Sequence, residues 1–204
     1  MYGSMVPSKF SGKQKAIIII CCILIVAAGL LFLIGLKNQA DENKHIIQLH
    51  LKKTAGRIAG QVNGDGLLSL KPGDEGTPLY LALAQEAYNA RKNESYIVNA
   101  YILRVDNGTI TYVIDDQYLV SGPGPLVAPI GYPVTEDKDV IRAALNGPVY
   151  SPDIYTSRWG SYLSGYAPVR DSNGTVVGIL GIDETEDIVH DYELSSLFHL
   201  VEVT

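Results

Sequence analysis

Hydrophobic and polar positions change rhythm three times along the chain. Residues 16–36 (AIIIICCILIVAAGLLFLIGL) run without a charge. At 1.5 Å per residue such a helix spans about 32 Å, enough for the ~30 Å hydrocarbon core of a bilayer. Lys37 and Asn38 follow where a signal peptide would show a small-residue cleavage site, so the segment reads as a retained anchor. Over 41–62 the apolar residues Ile46, Ile47, Leu51, Ala55, Ile58, Ala59 and Val62 recur near the helical period. They predict a long helix continuing from the span and stopped by Asn63-Gly64-Asp65-Gly66. A second helix is predicted over 77–90, with Thr77 as cap and Pro78 in its first turn.

The period then shortens to two. Residues 96–105 and 109–115 are β-rich and flank Asp106-Asn107-Gly108, a strong hairpin signal. The proline- and glycine-rich stretch 117–133 reads as loop. Thr135 is placed to cap a helix over 136–146, closed by Gly147-Pro148. Strands over 162–170 and 175–182 follow, joined by Asp171-Ser172-Asn173-Gly174. Long helix, short helix, hairpin, helix, hairpin is an α+β order, predicting an antiparallel sheet with flanking helices. The expected organisation is a cytoplasmic tail (1–15), the span (16–36), one α+β domain (38–188) and a tail without assigned role (189–204). No second apolar run follows 188, which leads to the expectation of a domain without its own output module.

Charge changes the picture in two ways. Lys9, Lys13 and Lys15 precede the span without any acid, favouring a cytoplasmic N-terminus and an extracytoplasmic domain. From Lys37 onward 13 Lys and Arg face all 22 Asp and Glu of the chain, a net of −9, which argues against nucleic acid as a partner. Both cysteines, Cys21 and Cys22, lie in the span, so disulfide and thiolate chemistry are absent from the rest. The four histidines lack metal-ligand spacing, Ser164 is not in G-x-S-x-G, and Gly122-Pro123-Gly124 lacks the setting of a phosphate loop. The expectation is binding without catalysis, metal or cofactor.

One stretch carries more. Tyr155-Thr156, Trp159-Gly160, Ser164-Gly165-Tyr166-Ala167-Pro168, Asp171 and Gly174-Thr175-Val176-Val177-Gly178-Ile179-Leu180-Gly181-Ile182-Asp183 form one series. Upstream stand Asp74-Glu75-Gly76-Thr77-Pro78, Tyr80, Tyr101, Arg104 and Tyr112-Val113-Ile114-Asp115. Together they resemble the Cache (PAS-like) extracytoplasmic sensor domains of histidine kinases, chemoreceptors and diguanylate cyclases, over roughly 41–188. That resemblance implies a PAS-like sheet, a membrane-anchored receptor of two-component type and a small-molecule ligand. The family often has an acidic residue two before the tryptophan, where this chain has Ser157.

Seven side chains are candidates for the ligand site, each with a plainer alternative. Trp159 is either a ring closing over a ligand, its indole N–H a fixed donor, or a core tryptophan anchoring a loop. Tyr101, Tyr112 and Tyr166 offer apolar area with a polar tip, or are ordinary strand residues. The chain has 13 Tyr against 3 Phe, which favours use of the hydroxyls. Asp115 and Asp183 close matching strands of the two hairpins and would accept from an ammonium or hydroxyl group. The alternative for Asp183 is a solvated acidic run with Glu184, Glu186 and Asp187. Arg104 would pair a ligand carboxylate, or is simply exposed or paired with an aspartate. Gly165, Gly178 and Gly181 leave strand faces bare for close approach. The expected ligand is an organic acid or amino acid held between the sheet and the loops 117–133 and 150–159. Their closure would shift the 41–62 helix, which is expected to pair in a homodimer and to address a separate signalling protein. A pilin-like subunit and a truncated receptor share this architecture and stay open.

Overall fold

The computed structural model describes residues 11–191; the tail positions 1–10 and 192–204, His199 among them, lie outside the described residues. Two units follow one another along the chain, divided after Glu42. The first holds the beginning of α1 (Gly12–Ala59), whose apolar side chains from Ile17 to Ile34 are exposed. Its mean hydropathy reaches 3.4 over an 18-residue window with none of that window buried, so α1 is long and apolar enough to cross a membrane.

The second unit is built on one antiparallel sheet in the order β2-β1-β6-β5-β3, with β4 also pairing β5. The strands are β1 (Asn99–Asp106), β2 (Thr109–Asp115), β3 (Val149–Tyr150), β4 (Tyr155–Ser157), β5 (Gly160–Arg170) and β6 (Val176–Thr185). Helices α2 (Pro78–Arg91), α3 (Gln117–Ser121) and α4 (Lys138–Ala143) complete it. The order is α+β, as the pattern predicts. Asn107 and Gly108 both take positive φ (49° and 81°) between the paired Asp106 and Thr109, the primed two-residue turn that Asn-Gly favours. Thr77 caps α2 by accepting from the Tyr80 N–H, with Pro78 at the first helical position.

The helical stripe of α1 packs within its own domain. Ile47, Leu51, Ala55, Ile58 and Ala59 are buried with Ile102, Leu163, Leu180 and Ile182, so this stripe is not available to a second copy. Ile46 falls off it and is half exposed, while Asn43, Gln48 and Thr54 are buried instead. Gln48 is tolerated there because its amide donates to the carbonyls of Ser151 and Pro152 at 3.0 and 2.8 Å. The α-helix ends at Ala59, three residues before Val62, and closes with a tighter turn from Gln61 to Ile58.

Other departures have local causes. Asp137, in the left-handed region at φ 49°, precedes α4, and the Thr135 hydroxyl goes to Glu136 instead of capping. Helix α4 accordingly starts two residues later than expected and gives way to a 3₁₀ turn over Ala144–Asn146. The stretch 117–133 opens with α3 and then runs beside β2, where Tyr112 N–H donates to Tyr132 and Gly131 N–H to Tyr112. The short strands β3 and β4 went unpredicted because each is only two or three residues long. The face of the sheet away from α1 is also covered, by α4 and the 3₁₀ turn over Leu103, Tyr166 and Ile179. A concavity remains at its other end.

A candidate ligand cavity on the sheet

Alternation along β5 and β6 places Tyr162, Ser164 and Tyr166 on the face of Gly181, Asp183 and Thr185, since Tyr162 pairs Thr185, Ser164 pairs Asp183 and Tyr166 pairs Gly181. On β1, Asn99 stands opposite Asp183 and Tyr101 opposite Gly181, which continues this face. Strand β2 needs one further device. Tyr112 and Asp115 are three residues apart and in a regular strand would point to opposite faces. A bulge at Val113, where pairing passes from Ile102–Ile114 to Leu103–Tyr112, brings both onto the face of Tyr101 and Leu103.

The result is a cavity of 240 Å³ whose walls include Tyr101, Tyr112, Asp115, Tyr155, Trp159 and Asp183. Gly181 makes it possible. A Cβ there would stand 2.3 Å from the Tyr101 ring, so the ring lies across the strand only because the side chain is missing. The Tyr101 hydroxyl thereby reaches Asp183 Oδ1 at 2.8 Å, and Ser164 Oγ donates to the same oxygen at 2.6 Å. Tyr155 and Ser164 hydroxyls meet at 2.9 Å, extending the network to β4. Burial pushes the Tyr101 and Tyr155 phenols well above their ordinary pKa, so both remain protonated donors.

Two carboxyl groups face this space. Burial raises Asp183 from 3.8 to about 7, against the lowering effect of its hydroxyl and amide donors. Asp115 rises to about 6, again by burial first, although Oδ1 accepts from the Gln117 N–H at 3.0 Å and Oδ2 from the Ala128 N–H at 2.8 Å. Among the described residues no basic side chain lines the cavity. A cation arriving between these groups would meet acceptors that are already desolvated and held in place.

The rim is aromatic. Trp159 packs edge-on to Tyr112 and Tyr132, each 5.4 Å between ring centroids. Its indole N–H donates to the Pro125 carbonyl at 3.2 Å, so it pins the 117–133 segment and the ring alone is offered to the interior. Arg158 lies outside, its guanidinium 5.4 Å from the Tyr132 ring and 5.2 Å from that of Trp159.

No family model matches the chain, and no curated protein does. Solved structures do. The ligand-binding domain of the Campylobacter jejuni chemoreceptor Tlp3 in complex with L-norvaline aligns with a TM-score of 0.51 at 14% identity, covering 80% of this chain and 63% of that one. The Tlp3 domain in complex with L-valine gives 0.48 at 14% identity, covering 81% and 65%. The periplasmic sensory domain of chemoreceptor Tlp1 from the same species gives 0.39 at 10% identity, covering 78% and 59%. The fold is the PAS-like α+β arrangement, one antiparallel sheet with flanking helices, that the norvaline-bound Tlp3 domain shares. The chain spans 65% of the length of the valine-bound Tlp3 domain.

Within this fold five of the seven candidates, Tyr101, Tyr112, Asp115, Trp159 and Asp183, come together around the cavity. Tyr166 shares their face but sits one layer behind, fully buried, its hydroxyl 3.4 Å from that of Tyr155 and from Asp137. Arg104 requires correction. It points to the opposite face, where its guanidinium donates to the carbonyls of Leu67 and Leu70 at 2.8 and 3.0 Å. Gly165 and Gly178 likewise serve the α1 side. A Cβ on Gly165 would stand 2.5 Å from the Leu51 carbonyl oxygen, and one on Gly178 2.6 Å from the Leu67 side chain. Asn99, Gln117, Tyr155 and Tyr162 also line the cavity. Tyr162 was recoverable from its two-residue alternation with Tyr166, and Tyr155 belongs to the quoted series. Asn99 and Gln117 had no signal in the sequence.

Proposed function

We propose that this chain is a membrane-anchored, extracytoplasmic sensor module that binds a small amine in the cavity between β1, β6 and Trp159. The observation that supports it most is the pairing of two buried carboxyl groups, Asp115 and Asp183, with an aromatic wall and, among the described residues, no basic side chain. An ammonium group satisfies such a site by charge, and its carbon skeleton by contact with Tyr112 and Trp159. An organic acid would bring a third negative charge, and an amino acid would leave its carboxylate without a cationic partner in the cavity. The Tlp3 domains have been solved with amino acids bound, and their likeness to this chain supports a binding rather than a catalytic reading. Residues 16–36 of α1 are the anchor in this reading. Loop 117–133, which Trp159 holds through Pro125, is the element that a bound ligand would reposition.

A thermal-shift screen on the full chain in lipid nanodiscs tests it, using primary amines, amino acids and organic acids. A ligand at 100 times its dissociation constant adds about 2.7 kcal/mol, which moves the midpoint of a domain of this size by several degrees. The expected hit is an amine, lost in Asp183→Asn. A preference for organic acids, or an amine hit untouched by both Asp183→Asn and Asp115→Asn, rules the assignment out.

A further inference from the structure

A second cavity of 520 Å³ lies on the other side of the sheet, where β6 ends beside α1. Its walls are mainly hydrocarbon, from Ile46, Ile47 and Ile188, with His50 and Tyr96 along one side. Glu184 faces into it. This residue is only 5% exposed, and no hydrogen bond or ion pair holds its carboxylate among the described residues. Neighbouring polar groups are committed elsewhere: Tyr96 donates to Glu94 at 2.8 Å, Arg57 pairs Glu94 at 2.5 Å, and His50 Nε2 meets the Thr54 and Tyr96 hydroxyls. A carboxylate largely withdrawn from water and opening onto this groove favours a cation that arrives there. Asp191 adds a second acid to the walls, which among the described residues hold no Lys or Arg.

We propose that this groove is a second binding site, for a small soluble amphipathic cation. Its ammonium group meets Glu184, and its alkyl part lies against Ile46, Ile47 and Ile188. Two other occupants fit less well. Residues 192–204 bring two further acids, Glu193 and Glu202, against the single histidine His199 and no Lys or Arg. A second copy docked groove to groove would set Glu184 and Asp191 against their own like. The size suits a ligand of several carbons, and the charge excludes fatty acids.

The test uses n-hexylammonium, with n-hexanol and hexanoate as controls, titrated calorimetrically into the full chain in lipid nanodiscs against empty discs. Two binding events are expected. Glu184→Gln should weaken one at least tenfold and leave the other; Asp183→Asn should do the reverse. If Asp183→Asn changes nothing while Glu184→Gln removes a site, the groove stands and the cavity assignment fails. Hexylammonium affinity unchanged by Glu184→Gln, or hexanol binding equally well, overturns the groove. Should Glu184→Gln fail to fold, Ile46→Lys, at a half-exposed position, supplies a tethered ammonium. It should compete with the probe at this site, and unchanged affinity there overturns the proposal too.

Discussion

Asp183 and Glu184 are adjacent residues of β6, yet they stand on opposite faces of one sheet, in surroundings that differ in almost every respect but dryness. Asp183 is 4% exposed and Glu184 5%, and burial is the leading reason that each titrates near 7. On the cavity face, the donors Tyr101 and Ser164 converge on Asp183. On the α1 face, Glu184 sits among Ile46, Ile47 and Ile188, and among the described residues no hydrogen bond reaches its carboxylate. Burial alone therefore sets how costly the charge is, whereas the donors decide whether the group is held in one orientation. A fixed, desolvated acceptor selects its ligand by geometry; an unpaired one selects by charge.

The two faces should respond differently to substitution, most strongly where the structural side is broken. Arg91 and Asp116 form a buried ion pair at the corner between α2 and β2, with Asp116 also accepting from the Ala100 N–H at 3.1 Å. Arg91→Ala leaves Asp116 buried without its countercharge and should cost about 3–5 kcal/mol in urea unfolding. Asp115, its neighbour, faces the cavity instead. Asp115→Asn should abolish amine binding with a stability change below about 2 kcal/mol, since a side chain of the same shape can still accept one of the two N–H groups. Equal destabilisation by both variants would erase the distinction between structural and ligand-facing acids.

Next in size is a pair of glycines. Gly165→Ala drives a Cβ against the backbone of α1 at Leu51, which cannot move without disturbing the core; about 2–3 kcal/mol should be lost. Gly181→Ala meets first the Tyr101 side chain, which can swing away, rather than backbone. Stability should fall by about 1 kcal/mol, while amine affinity falls much more, because Tyr101 then leaves Asp183 and enters the cavity. The ratio of binding loss to stability loss, from calorimetry and thermal unfolding of each variant, is the quantity to compare.

Much of this arrangement was legible in the sequence, and what was not has physical reasons. The Asn107-Gly108 turn, the Thr77-Pro78 helix start and the α1 stripe rest on local backbone chemistry that acts wherever the residues occur. Arg104 was misassigned although its position was readable: three residues from Tyr101 on a regular strand means the opposite face. Tyr112 and Asp115 share a face only through the Val113 bulge, which no residue type announces. The Arg91–Asp116 pair joins residues 25 apart and could not be read from spacing. Polar burial in α1, at Asn43, Gln48 and Thr54, depends on partners such as the Ser151 carbonyl that tertiary structure supplies.

A pH series separates the two acids most directly. An unfolded chain ionises aspartate near 3.8 and glutamate near 4.5, whereas Asp183 and Glu184 hold their protons to about 7 in the fold. Between those values the folded state binds more protons, so stability should decline as pH rises from about 4 to 7 and level off above. Asp183→Asn and Glu184→Gln should each flatten part of that slope. An amine that needs ionised Asp183 should bind more tightly as pH rises through 7, cancelling the decline in its presence. In Asp183→Asn that gain should vanish at the cavity, and in Glu184→Gln it should persist. Thermal midpoints at pH 5, 6, 7 and 8, with and without amine, check all of this; Asp115, raised to about 6, keeps part of the slope in the double variant, and a slope undiminished there would mean that neither Asp183 nor Glu184 carries the proton.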